Sequence, residues 1–283
     1  MGLLYLFLVV VAITTTALIA KLAARRGVGA LALSNALFYV GALLGAVVFW
    51  RHGGAEITPK ALAIGALGGV GGAFAVLAFN QAVRIGHFGY SNAIYRSAFL
   101  VPVVFALVAL DAPLGAPKAV GIGCILAGIF LMSCTPQPGG AMGKAAINFR
   151  WVALILLAFL FSGGPRIGQT LTKVCHVDDV LYLFLSYAIG AGVLIAISGK
   201  SAFQRAALPW GIVLAVASYL GVWFTLKALE RLSPYVVFPV SLSGPILLGL
   251  GFSLALFRER IAPRGWAGIA LGLGGIAILS VWK

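Results

Sequence analysis

Carboxylates are scarce in this chain: its 283 residues carry six Asp and Glu against 20 Lys and Arg, and only 9% of all residues are charged. The six are Glu56, Asp111, Asp178, Asp179, Glu230 and Glu259, and each falls at or near the end of an apolar run. Strong proton coupling usually needs an acid in mid-membrane that trades a proton for substrate. Its lack points to facilitated diffusion or exchange, with Glu230 the acid best placed to reach a water-filled cavity. The three cysteines, Cys124, Cys134 and Cys175, lie in or beside apolar runs, with neither metal-ligand spacing nor a disulfide pattern. The three histidines, His52, His87 and His176, sit apart at run ends. With no paired aspartates either, no nucleophile, base or metal cluster forms at a common depth, as an intramembrane enzyme would require. The sequence thus offers no catalytic residue, metal site or cofactor motif.

What remains is hydrophobic: 62% of the residues are apolar, where soluble domains are about half apolar and a quarter charged. A membrane-crossing helix takes about 20 apolar residues, and such stretches occupy 2–22, 28–50, 61–83, 88–110 and 114–134. They resume at 151–171, 180–198, 208–229, 234–257 and 265–282. The runs do not alternate with period two, so they are not barrel strands. The first has no basic lead and continues too far for a secretory signal. The reading is an all-α protein with ten transmembrane helices, multi-pass in a bacterial inner membrane, as a monomer or homodimer. A net charge of +14 would suggest nucleic acid in a soluble protein; here the basic residues lie mostly between the spans. Their expected partner is the lipid bilayer, through its anionic headgroups, and no nucleic acid.

Residues 78–133 lie over 225–280 without a gap, at an offset of 147: Arg84 falls on Arg231, Phe105 on Phe252, Leu107 on Leu254 and Gly121 on Gly268. Ile122, Leu126, Gly128, Ile129 and Ser133 fall likewise on Ile269, Leu273, Gly275, Ile276 and Ser280, and Tyr39 meets Tyr187 at an offset of 148. The Pro- and Gly-bearing stretch 135–148 separates the copies into repeats 1–140 and 145–283. Five crossings per copy is an odd number, so the second copy enters from the opposite side. The architecture expected is two inverted five-helix repeats around a central cavity. The glycines inside the spans read as close helix packing, not a phosphate loop.

Orientation pulls two ways. With the N-terminus inside, the cytoplasmic face would hold five basic residues (Arg51, Lys60, Lys118, Arg231, Lys283). The other face would hold ten (Arg25, Arg26, Arg84, Lys144, Arg150, Lys200, Arg205, Arg258, Arg260, Arg264). The positive-inside rule therefore places both termini outside.

Two arginines stand within spans. At about 1.5 Å per residue, Arg96 lies roughly 12 Å and Arg166 roughly 22 Å from the same face, a separation that disfavours one clamp on a small carboxylate. Each must face the bundle interior or a cavity, either binding an anionic group or capping carbonyls freed by nearby helix breaks. Such breaks are expected at Gly163-Gly164-Pro165, at Pro102 and at Pro239 and Pro245, where freed backbone can line a cavity. Thr14, Thr15, Thr16, Asn80, Gln81, Asn92, Tyr95, Ser162, Gln169, Ser218, Tyr219, Trp223, Ser241 and Ser243 lie on the same spans. The candidate substrate-binding set is Arg96, Arg166, Asn80, Gln81, Asn92, Tyr95, Ser162, Gln169, Tyr219, Trp223 and Ser243. Lys21, Lys173 and Lys227, near span ends, read as snorkelling. The repeats differ at Arg96 against Ser243 and at Asn80 against Lys227, where an asymmetric substrate would be read.

The stretch Ala228-Leu229-Glu230-Arg231-Leu232-Ser233-Pro234, then Gly244-Pro245, Arg258-Glu259-Arg260, Gly265-Trp266-Ala267-Gly268 and Gly274-Gly275, resembles the drug/metabolite transporter superfamily, in particular its ten-helix EamA-type exporters. The first copy departs from this pattern, with Ala98 aligned to Pro245 and Ala112 to Glu259. The resemblance implies a basket of ten helices, alternating access, both termini cytoplasmic, and export of amino acids, metabolites or drugs. Glu259 matches the family's helix-closing glutamate and, between Arg258 and Arg260, reads as a loop ion pair. The function expected is transport of a small-molecule substrate, anionic or zwitterionic and amino-acid-like. A multidrug exporter and a passive channel are the alternatives.

Overall fold

The computed structural model describes residues 2–101, 115–135, 148–198, 204–229, 231 and 234–281. Among these the ordered backbone is helical, with no strand, as a chain that must satisfy its N–H and C=O groups inside lipid requires. The helices are α1 (Gly2–Arg25), α2 (Ala30–Arg51), α3 (Pro59–Ile85), α4 (Phe88–Arg96), α5 (Ala116–Ser133), α6 (Phe149–Phe161), α7 (Gly163–Val174), α8 (Asp179–Ser198), α9 (Leu208–Leu229), α10 (Pro234–Ala255) and α11 (Pro263–Val281). Since α6 and α7 are two halves of one broken rod, the described residues form ten spans. Of the expected linker 135–148, residues 136–147 lie outside the described residues, as do Pro102, Asp111 and Glu230.

Local chemistry sets the helix starts. Thr58 accepts a hydrogen bond from the Ala61 N–H, with Pro59 in the first turn of α3. Asn148 does the same for Trp151 N–H at the start of α6, and Asp178 for Leu181 N–H at the start of α8. Gly27, between α1 and α2, takes φ +78°, which its missing Cβ permits.

Large apolar side chains lie open on the outside: Phe7 is 63% exposed, Trp50 76%, Phe130 66% and Phe149 79%. A surface of that kind is suited to hydrocarbon, with aromatics such as Trp50 and Phe149 at helix ends where headgroups begin. Among the described residues six helices are long and apolar enough to cross a membrane, and shorter apolar helices cover Ala119–Ser133 and Ser243–Ala255.

Helix contacts repeat the symmetry of the sequence. α2 packs on α8, α4 on α10 and α5 on α11, each helix against its own repeat mate. The others come in mated pairs: α1 with α9 and α3 with α6–α7, α3 with α8 and α2 with α9, α1 with α10 and α4 with α6. This pairing is what a two-fold axis between the halves produces, and the odd number of crossings per half makes the halves inverted. The glycines act as expected in lipid. A Cβ on Gly128 would stand 2.6 Å from the Gly268 carbonyl oxygen, and one on Gly275 2.6 Å from that of Gly121, so α5 and α11 meet backbone to backbone. Gly71 and Gly164 meet in the same way where α3 crosses α7.

The helix breaks only partly follow the sequence. The sixth span breaks at Ser162, one residue before Gly163-Gly164-Pro165. α4 ends at Arg96 in a 3-10 turn over Ser97–Phe99; the break expected at Pro102 itself lies outside the described residues. α10, by contrast, runs unbroken from Pro234 to Ala255 across both Pro239 and Pro245. The expected interruption there is wrong: a proline inside a membrane helix can be accommodated by the bundle around it. Asn92 Nδ2 separately ties α4 to α10 by donating to the Pro245 carbonyl at 2.8 Å.

Candidate functional site

The two broken spans meet at their breaks. The 3-10 turn after α4 packs against α6 and α7, and a side chain on Gly163 would collide with Val101. Arg96 is the last residue of α4 and Arg166 the fourth of α7, so one cation is delivered by each break. Arg96 is 8% exposed. One of its terminal nitrogens donates to the Ile13 carbonyl at 2.8 Å and to Thr16 Oγ1 at 3.2 Å on α1, its guanidinium carbon lies 5.2 Å from the centre of the Tyr95 ring, and its Nε has no hydrogen-bond partner.

Arg166 lies within electrostatic reach of Arg96, and Tyr95 feels both. Among the described residues no carboxylate pairs with Arg96. A cation held in a low-dielectric interior without a carboxylate has a high free energy, and a bound anion relieves it.

Tyr95 stacks on Phe79 at 4.6 Å between centroids, and Tyr187 lies 6.2 Å from Tyr219 and 5.7 Å from Phe38. The Tyr187 hydroxyl shares a 2.7 Å hydrogen bond with Ser218 Oγ. The Tyr219 hydroxyl, on a side chain that is 7% exposed, has no partner, and neither has Ser241 Oγ. Tyr187 was absent from the sequence-derived set. Its signal was available, because a tyrosine near the middle of an apolar span must find a partner for its hydroxyl.

The structure sets Arg96 beside Tyr95 and Tyr219 beside Tyr187, and it spends several other candidates on packing. Asn80 Nδ2 donates to Ser34 Oγ at 2.9 Å, joining α3 to α2. Asn92 bonds α10 as described, and Ser162 Oγ donates to the Phe159 carbonyl at 3.1 Å, capping the end of α6. Trp223 carries Lys227, whose ammonium lies 5.8 Å from its ring centre. Gln81, Gln169 and Ser243 are half-buried on α3, α7 and α10.

Two other readings of single residues need correction. Lys21 does not snorkel: it is 9% exposed and donates to the Val83 and Gly86 carbonyls at 2.8 and 2.9 Å. Glu259 pairs not with its neighbours Arg258 and Arg260, which are exposed, but with Lys21 at 3.4 Å and His87 at 3.2 Å. The nearest charge in sequence gave way to a buried one that had no other acid to meet.

Comparison with known proteins agrees with this architecture. The model of the EamA-like transporter family matches residues 1–134 and again 149–281. An uncharacterized protein of Haemophilus influenzae is 25% identical over 236 residues, covering 79% of this chain and 76% of that one. The crystal structure of another protein superposes with a TM-score of 0.61 at 14% identity, covering 98% of this chain and 95% of that one, a likeness of fold. With two family matches that together span both repeats, this multi-pass membrane protein of ten helices belongs to the EamA-like transporter family.

Proposed function

We propose that this transporter carries small anionic or zwitterionic, amino-acid-like solutes outward across a bacterial inner membrane, by alternating access between its inverted halves. Arg96 supports the reading most. It is a permanently charged group held in a membrane interior, one nitrogen satisfied by α1, another buried without an acceptor, and a second guanidinium close by. Burying such a charge as that of Arg96 is costly without an anionic partner, and the solute's carboxylate would supply it. The tyrosine rings present flat apolar faces and hydroxyls to the remainder of the solute. The Haemophilus relative and the exporter-type motifs favour the bacterial setting and the outward direction.

Counterflow with purified protein in liposomes tests the proposal, using amino acids, purines, sugar phosphates and cationic drugs as solutes. Saturable exchange of carboxylate-bearing solutes is expected, lost in Arg96→Ala. Exchange of cationic drugs alone would overturn the substrate class, and non-saturable flux without counterflow would indicate a channel.

A further inference from the structure

We propose that Glu259 is a latch between the two halves, holding one face of the transporter shut until it lets go; this rests on the alternating-access reading above. Glu259 lies on the 256–262 connection between α10 and α11, in the second repeat, yet Phe88, Gly89, Lys21 and His87, which its carboxylate meets, belong to the first. Its carboxylate accepts from the Phe88 N–H at 2.9 and 3.1 Å through its two oxygens and from the Gly89 N–H at 3.4 Å, so it caps the first turn of α4. Lys21 Nζ lies 3.4 Å from Oε1 and His87 Nδ1 3.2 Å from Oε2. Within its own half, Ser253 Oγ donates at 2.7 Å. Because Lys21 also bonds the end of α3, one carboxylate gathers α1, α3 and α4 onto the other repeat.

The surroundings reinforce the closure. The Arg25 guanidinium lies 4.4 Å from the centre of the Phe257 ring, Phe257 packs edge-on against Phe88 at 5.0 Å, and the Tyr90 hydroxyl accepts from the Ala262 N–H at 3.1 Å. Arg258 takes φ +52°, a left-handed conformation that a residue with a Cβ adopts only at a cost. The loop is therefore held against its local preference by what Glu259 reaches.

Position makes the cluster a gate. Lys21 and His87 lie on, or at the start of, the two helices that hold Arg96, with Thr16 and Arg96 roughly 8–13 Å deeper along their axes. The latch thus stands between the site and this face. Among the described residues it has no twin. At the repeat offset of 147, Glu259 corresponds to Ala112 and His87 to Pro234, and at 148 Lys21 corresponds to Gln169, so the aligned positions do not repeat this set. A symmetric machine with one charged latch has end states of unequal free energy, and the state closed on this face is the one favoured.

The test uses the full chain in nanodiscs, with its three cysteines replaced and spin labels on Arg26→Cys and Arg264→Cys, exposed positions in opposite repeats on this face. Without Glu259→Gln a single short distance is expected; with it, a longer population should appear, and a Thr16→Cys thiol should react about tenfold faster from this face. The charge-swapped pair Lys21→Glu with Glu259→Lys should restore the short distance in part. If Glu259→Gln fails to fold, His87→Asn is measured instead and should shift the distances the same way. Unchanged distances and thiol reactivity in a folded variant, with only a lower melting temperature, would make the cluster a plain staple and overturn the proposal. No solute enters this experiment, so a latch that opens in a protein carrying only cationic drugs would stand while the anion reading fell.

Discussion

At the scale of residues, the contrast between Arg96 and Lys21 is instructive. Both are cations held within spans, but Lys21 has Glu259 and two carbonyls, whereas Arg96 has a carbonyl, a hydroxyl and an aromatic face, with no acid among the described residues. The first is a finished structural interaction and the second an open one. Arg96→Lys keeps the charge but not the planar fork, so it should lower counterflow of a carboxylate solute about tenfold, roughly the loss of one charge-assisted hydrogen bond. Arg96→Ala should abolish it, with both variants eluting as folded protein. Equal rates for Lys and wild type would mean that charge alone, without bidentate geometry, suffices. At Tyr219 the buried hydroxyl has no protein partner. If it bonds the solute, Tyr219→Phe should weaken binding about 3- to 10-fold, while stability holds or rises because an unsatisfied polar group is removed. Binding and melting curves on the same preparation separate these effects, and a loss of stability at unchanged affinity would assign the hydroxyl to the fold.

At the scale of elements, glycine position decides which helices can meet. Gly128 on α5 faces Gly268 and Gly272 on α11 with no room for a Cβ, whereas Gly123, on the same helix, has nothing within 4 Å. Gly128→Val should therefore separate the two helices and cost roughly 1–3 kcal/mol or more, read as a lower melting temperature or a smaller monodisperse fraction. Gly123→Ala should be neutral or slightly stabilising through helix propensity; equal effects at the two sites would refute the backbone contact. Spans and duplication were legible in the sequence because length, apolarity and offset are local or additive signals. The break at Gly163-Gly164-Pro165 was legible too, since two glycines and a proline together weaken any helix. Pro239 and Pro245 misled because whether a proline breaks a membrane helix depends on the neighbours that re-satisfy its backbone. The partnership of Glu259 with Lys21 was invisible for a similar reason: it arises only when α1, α3, α4 and the α10–α11 connection converge. Sequence adjacency offered Arg258 and Arg260 instead, and Asn80 was likewise chosen as a site residue because its partner Ser34 lies on another helix.

At the scale of the molecule, the two-fold pairing of helices carries chemistry that is not two-fold, and the pH dependence of stability should expose it. Of the three histidines, His52 and His176 are exposed, while His87 is buried where the halves join. Burial pushes its imidazole below the ordinary value of 6.5, with Glu259 and the Arg260 backbone offsetting only part of that. Glu259 is pushed up by burial but pulled down further by His87, Lys21, Ser253 and the Phe88 N–H, and ends below its ordinary 4.5. For His87, the unfolded chain takes up a proton at about pH 6.5 and the folded one only at lower pH, so stability falls as pH drops below 6.5. For Glu259, the stabilisation is complete above about pH 4.5 and is lost as pH falls through its lowered folded value. Tryptophan-monitored melting across pH 7.5 to 4 should show a decline beginning near 6.5 and a second below 4.5. His87→Asn should flatten the first and Glu259→Gln the second. Because both groups join opposite repeats on one face, each flattening should come with the widening of that face seen in the spin-label distances. If His87→Asn kept the full slope between pH 6.5 and 5, the titrating group would lie elsewhere, and the imidazole would act on the latch only through its shape.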